Sequence, residues 1–124
     1  MAPLLIATNN AGKQKEIQSL LGKLNIEFIT PVDIGLKLDV KEDGNTYKEN
    51  AAKKATTFAK TSGFISLADD TGLEVEALGG APGLFSARYA PQPNATDADR
   101  RAYILKNLQS HPRPWSARFI CVVA

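Results

Sequence analysis

Two aspartates in succession, Asp69 and Asp70, follow the apolar run "FISLA" (Phe64 to Ala68) and lead into Thr71 and Gly72. Adjacent strand residues point to opposite faces, so the two carboxylates are expected to play different roles. At a strand end of an open α/β sheet, where ligands bind, such an aspartate can hold a divalent cation or activate water. The same residues also suit an Asx turn that closes the strand. A second group is "TNNAGKQKE", Thr8 to Glu16. The first turn of a helix leaves N–H groups unpaired at the positive end of its dipole, which suits an anion such as phosphate. Ala11 and Gly12 let a large ligand approach the backbone, Thr8, Asn9 and Asn10 add short hydrogen-bonding groups, and Lys13 adds a mobile charge. This is not a Walker A loop, since the first glycine is missing and Gln14 follows Lys13 where Ser or Thr is required. The plainer reading is a polar cap at Asn10 with an exposed Lys13.

The third group is "KEDGNTYKENAAKK". Glu42 and Asp43 precede a helix that Thr46 and Glu49 open as a capping box. Asn50 and Lys54 are spaced i, i+4 and share a face that can serve a site, whereas Glu49 and Lys53 read as a solvated ion pair.

These groups need elements to hold them. "PLLIA" (Pro3 to Ala7) reads as a short buried strand. Ile17, Leu20, Leu21 and Leu24 then fall at i, i+3, i+4 and i+7, the apolar face of a helix. "IEFIT" (Ile26 to Thr30) is a second strand, so strand, helix and strand form a βαβ unit with parallel strands. Pro31 to Asn45 reads as loop. The next helix runs to about Lys60 with Gly63 as its stop. "FISLA" is a third strand, "GLEVEAL" (Gly72 to Leu78) an alternating fourth, and "GGAPG" a flexible loop. A helix capped by Thr96 or Asp97 carries Ala102, Leu105, Leu108 and Gln109 along one side. "SARFICVVA" (Ser116 to Ala124) is a last strand, apolar on both faces towards its end, as in the middle of a sheet. A strand that ends the chain in "CVVA" predicts a chain cut within a larger domain.

Length and composition set the bounds. The 124 residues suit a single α/β domain over 1–124, with a mixed central sheet flanked by helices. Formal net charge is +2, too small to point to nucleic acid or a membrane surface. The apolar run near the start is too short for a signal peptide or a membrane span. Cys121 is the single cysteine, which excludes an internal disulfide and fits a reducing cytoplasm.

Taken in order, "TNNAGKQKEI", "EDGNTYKENAAKKA", "LADDTGLEVEALGGAPGLFSARYA" and "ARFICVVA" resemble the successive motifs of the inosine triphosphate pyrophosphatase family, hydrolases of non-canonical purine nucleoside triphosphates such as ITP, dITP and XTP. Thr8, Asn10 and Lys13 match the opening motif. Glu49, Asn50, Ala51 and Lys54 match the capped-helix motif, and Ala68, Asp69, Asp70, Thr71, Gly72 and Leu73 match the aspartate motif. Gly79, Gly80, Pro82 and Gly83, then Ser86, Ala87, Arg88 and Tyr89, match two further pieces. Family members continue into a second half, with a Phe-Gly-Tyr-Asp-like stretch and a late Ser-His-Arg that hold the base. The resemblance therefore implies the N-terminal portion of an ITPase-like domain, with the phosphate and metal half of the site present. His111, the single histidine, does not match the base-reading residue and reads as an exposed loop residue.

The resemblance implies cleavage between the α and β phosphates, giving monophosphate and pyrophosphate with Mg2+ as the cofactor. It makes Glu42 and Asp70 the metal ligands and Asp70 the residue that activates water, with Asp69 in support. Thr8, Asn9, Asn10, Ala11, Gly12, Lys13, Lys54 and Thr71 would hold the substrate. It also implies a homodimer, in which exchanged segments are one form of assembly, and weak or absent activity for a chain without the base-holding half. Two rivals stay open: a non-catalytic nucleotide-binding module, and a fragment that assembles through its apolar last strand. The Ala-Asp-Asp-Thr-Gly motif argues against the Maf-type pyrophosphatases.

Overall fold

The structure, a computed structural model, describes residues 2–124. It is an α/β protein of two compact units, the first formed by residues up to Asp70 with Val122–Ala124, the second by Thr71–Cys121.

The first unit is built on a parallel sheet of order β2-β1-β3, with β1 at Leu4–Ile6, β2 at Phe28–Ile29 and β3 at Ile65–Leu67. Helix α1 (Ala11–Leu21) links β1 to β2, so the βαβ unit expected from the apolar spacing is present. Leu5, Ile6 and Ala7 are fully buried, as a continuous apolar run in a parallel strand requires. Helix α2 (Tyr47–Ser62) packs on β3. Gly63, at φ 78°, ends α2 in the left-handed region that glycine enters without a Cβ clash. Phe58 on α2 meets Leu5, Ala7 and Ala68, and Ile29, Ile34, Leu36 and Leu38 pack around them. Burying a Leu, Ile or Phe side chain contributes about 1.5–3 kcal/mol each, so this cluster is the main anchor of the unit.

Three local expectations change. The face of Ile17, Leu20, Leu21 and Leu24 is not core: no α1 residue is buried, Leu20 is 75% exposed, and Leu24 lies beyond the helix. Periodicity shows which side chains share a face, but not what covers it. At α2, Thr46 Oγ1 accepts from the Glu49 N–H, while Glu49 Oε2 reaches back to the N–H of Asn45, one residue outside the box. Glu49 is thereby used as a cap, and Lys53 pairs instead with Asp43 at 2.7 Å. Asp69 and Asp70 do not lie in a turn: a single residue, Ala68, separates β3 from β4 (Asp69–Val75), and the aspartates open that strand.

The second unit holds the rest of β4, helix α3 (Asp97–Leu108) and most of β5 (Ala117–Val123), which pairs with β4. The fourth strand thus starts earlier than "GLEVEAL", and Glu76–Leu78 turns into a short 3-10 helix. Gly83–Arg88, which begins at the last residue of the expected "GGAPG" loop, forms another. The inward side of α3 carries Tyr103, Ile104, Asn107 and buried Leu108 rather than Ala102 and Leu105. Tyr103 meets Tyr89 edge-on at 5.1 Å, and Asn107 Nδ2 donates to the Tyr89 hydroxyl. His111 is half-buried in the loop after α3, and its carbonyl accepts from the Trp115 indole N–H. Among the described residues, no helix is long and apolar enough to cross a membrane.

The α3 cap gives a pH prediction. Thr96 and Asp99 form a reciprocal capping box, and the Thr96 N–H, with its hydroxyl, holds the Asp99 carboxyl below its ordinary 3.8. A depressed carboxylate contributes stability above its unfolded value, and that stability is lost as pH falls through the lower folded value. Thermal unfolding of Asp99→Asn against the parent should show a gap at pH 6 that narrows as pH falls below 3.8. A gap of constant size across that range would show that the Asp99 charge is not its source.

Candidate functional site

Every residue of the candidate site except Thr71 belongs to the first unit; Thr71, next in β4, lies in the second. β1 ends at Ile6, and the chain passes through Ala7 and Thr8 into α1. The Thr8 hydroxyl accepts from the Asn10 N–H at 3.1 Å, and the Asn10 side chain accepts from the Lys13 N–H at 3.1 Å. Asn10 is thus the N-cap, as its type predicts. Gln14 Nε2 donates to the Thr8 carbonyl, and Asn9 Nδ2 to the Leu38 carbonyl, so the loop is tied at both ends. Ala11 and Gly12 are exposed at the first turn, where a helix cannot pair its own N–H groups.

Lys13 reaches from this turn to Asp69, with Nζ 2.9 Å from Oδ2. The Asp69 side chain is 6% exposed and the Lys13 side chain 31%, so a half-open ammonium balances a buried carboxylate. Asp70 takes a different partner: its Oδ2 accepts from Asn50 Nδ2 at 3.0 Å. The alternation of the strand separates the two carboxylates, as expected from their adjacency.

Helix α2 supplies the other wall. Asn50, Ala51, Lys54 and Phe58 are its buried residues, one stripe at helical spacing. Lys54 Nζ lies 2.5 Å from Glu42 Oε1. Asn50 Oδ1 accepts from the Gly44 N–H at 2.7 Å. A Cβ on Gly44 would stand 2.7 Å from Asn50 Oδ1 and 2.9 Å from Glu49 Cβ, so only glycine lets the backbone approach the amide. Burial pushes the Asp70 carboxyl above its usual range; the Asn50 hydrogen bond opposes this, the Glu42 charge adds to it, and Lys54 and Lys13 draw it back. One aspartate therefore senses Glu42 and both lysines, the pattern of groups around a functional carboxyl.

The structure thus groups Lys13 with Asp69, and Glu42 and Lys54 with Asn50 and Asp70. Residue types alone did not reveal three contacts: the Lys13–Asp69 pair, the two hydrogen bonds made by Asn50, and the close approach at Gly44. The i, i+4 spacing of Asn50 and Lys54 was the signal for the second. The first joins segments far apart in sequence, where no spacing rule applies, and the third spans six residues from loop to helix, a separation that no helix or strand period covers.

The sequence matches the Ham1 family over residues 4–124. It is similar to a dITP/XTP pyrophosphatase of Desulforamulus reducens, 44% identical over 122 residues, covering 98% of this chain and 60% of the relative. A dITP/XTP pyrophosphatase of Listeria monocytogenes is 44% identical over 125 residues, covering 100% of this chain and 61% of the relative. Among solved structures, a HAM1 protein from Coxiella burnetii matches with a TM-score of 0.85 and 43% identity, covering 99% of this chain and 62% of the other. The Staphylococcus aureus Ham1 protein matches with a TM-score of 0.79 and 36% identity, covering 98% and 61%. The chain spans about three fifths of the length of the curated relatives it matches.

Proposed function

This chain belongs to the Ham1 family, and from that premise we propose that the protein is a nucleoside triphosphate pyrophosphohydrolase acting on non-canonical purine nucleotides such as ITP, dITP and XTP. The observation that carries the reading is the meeting of Glu42, Lys54 and Asn50 with buried Asp70, in the same unit as the Lys13 turn. Two carboxylates beside two lysines suit a reaction in which phosphate charge must be neutralised and water activated.

Each residue has a task in this reading. The turn Asn9 to Gly12 offers backbone N–H groups to phosphate oxygens, and Lys13 exchanges Asp69 for phosphate. Lys54 supplies a second cation held against Glu42. Asp70, with its carboxyl raised above its usual range by burial, takes a proton from the attacking water.

Mg2+ is the proposed cofactor. Among the described residues no three His, Cys, Asp or Glu side chains cluster as a metal cage. Mg2+ fits the donors that are present, because it commonly takes one or two carboxylates together with phosphate oxygens and water. Glu42 and Asp70 would hold it. When bound, it would supply charge neutralisation at the phosphates and a more acidic water.

A homodimer is proposed on the apolar outer face of β5, where Phe119 is 75% and Val123 57% exposed. A cytoplasmic location is proposed on the exposed free thiol of Cys121.

The test is product analysis. Incubation with ITP, XTP or dITP and Mg2+ should release pyrophosphate and the monophosphate. Release of orthophosphate with the diphosphate would overturn the assigned cleavage. Nucleotide binding that is independent of Mg2+, with no product, would favour the non-catalytic module. Lys13→Ala should weaken binding of a triphosphate more than of a monophosphate, because the lysine meets the distal charge. Equal losses in a competition titration would show that Lys13 contacts something other than those phosphates.

A further inference from the structure

We propose that Asn50 is a positioning residue that sets the Asp70 carboxylate and ties the Glu42 loop to it, an inference that rests on the hydrolase reading above. Asn50 is 1% exposed and makes two hydrogen bonds in opposite directions. Its Oδ1 accepts from Gly44 N–H at 2.7 Å and its Nδ2 donates to Asp70 Oδ2 at 3.0 Å. The chemistry of the partners fixes which way the amide faces. A backbone N–H can only donate, so the oxygen faces Gly44; a carboxylate accepts, so the nitrogen faces Asp70.

The bridge joins two parts of the chain, the Glu42 loop and the start of β4. Gly44 lies two residues from Glu42, and Asp70 is the second residue of β4. One helical turn further on, Lys54 holds Glu42 at 2.5 Å. The loop from Glu42 to Gly44 is therefore pinned twice by one stripe of α2, and one of those pins also grips Asp70. Glycine at position 44 is part of the same device, since a Cβ there would collide with Asn50 Oδ1. An amide suits this place for a physical reason. Aspartate would set a second carboxylate against Asp70, and an apolar residue would leave a buried carboxylate oxygen and the half-buried Gly44 N–H without this partner. Asn50 touches neither phosphate nor water in this scheme; it acts by orienting a carboxylate that does.

Partners that orient metal-binding carboxylates typically matter by about 10–100-fold in metal affinity or activity. The experiment uses Mn2+ as the probe, followed by electron paramagnetic resonance without nucleotide, alongside kcat and KM for ITP. Asn50→Ala should weaken Mn2+ binding and lower kcat by about 10–100-fold, with KM little changed. Circular dichroism checks that the variant is folded. Should Asn50→Ala fail to fold, Asn50→Ser, which keeps one hydrogen-bonding group in the buried space, takes the same measurements. The Mn2+ affinity decides alone where turnover is too slow to follow. A folded variant with parent-like Mn2+ affinity, even if its melting temperature is lower, overturns the proposal and leaves the hydrolase reading standing. An unaltered protein that neither binds Mn2+ nor releases pyrophosphate overturns both.

Discussion

Asp70→Asn is expected to abolish pyrophosphate release, by about 10²-fold or more, while the protein stays folded. The change keeps size and shape. Its carbonyl oxygen can still accept from Asn50 Nδ2, so the buried bridge survives. What disappears is the negative charge that would hold a cation and the basic oxygen that would take a proton. The stability outcome has the opposite sign to the activity outcome. Burial raises the Asp70 carboxyl, so the folded state binds its proton more readily than the unfolded state. Such a group weighs against folding above its folded-state value, and the penalty is relieved as pH falls through that value. At neutral pH the amide should therefore melt at or slightly above the parent temperature. Steady-state pyrophosphate release, with melting curves on the same samples, tests both halves. Near-normal turnover in Asp70→Asn would remove it from the catalytic role. Lost turnover with a collapsed melting curve would mean that its role is structural.

The aspartate pair shows what a sequence can and cannot display. Adjacency in a strand correctly separates Asp69 from Asp70, because the side-chain period of two is a property of the backbone itself. It does not show that Lys13 is the partner of Asp69, since fifty-odd residues lie between them and only the fold brings them together. The strand boundary was misplaced for a related reason. Asp and Gly are common in turns, yet "DDTG", buried at three of its four residues, opens the strand β4 that pairs with β5. Tertiary contacts override a weak local preference.

The helices differ in the same instructive way. Thr46, Asn10 and Thr96 cap α2, α1 and α3 as their types predict, because capping is decided within four residues. Glu49 was legible as a capping residue but not as one that reaches Asn45, and that use takes it away from Lys53. The apolar faces were legible as faces. Whether they are covered depends on partners that periodicity does not encode, which is why Phe58 is buried while Leu20 is exposed.

Phe58→Ala is expected to cost about 3–5 kcal/mol of folding stability, a large share of the roughly 5–15 kcal/mol that a domain has. Phe58 is 2% exposed and packs on Leu5, Ala7 and Ala68. Two of these neighbours adjoin the site. Ala7 precedes Thr8, the start of the Lys13 turn, and Ala68 precedes Asp69. Phe58 itself follows Lys54 by one helical turn and Asn50 by two, on the same buried stripe of α2. The side chain that fixes the helix against the sheet therefore also fixes the register of the amide and the ammonium that grip Asp70 and Glu42. Removing its ring opens a cavity among residues that are already fully buried and cannot readily collapse. Phe58→Leu refills most of that volume and should lose clearly less. Urea unfolding of both variants against the parent measures the difference directly. An alanine variant within about 1 kcal/mol of the parent, well below the usual cost of such truncations, would show that the cluster is not the anchor of the sheet. Another element would then have to hold α2 in place over the two aspartates.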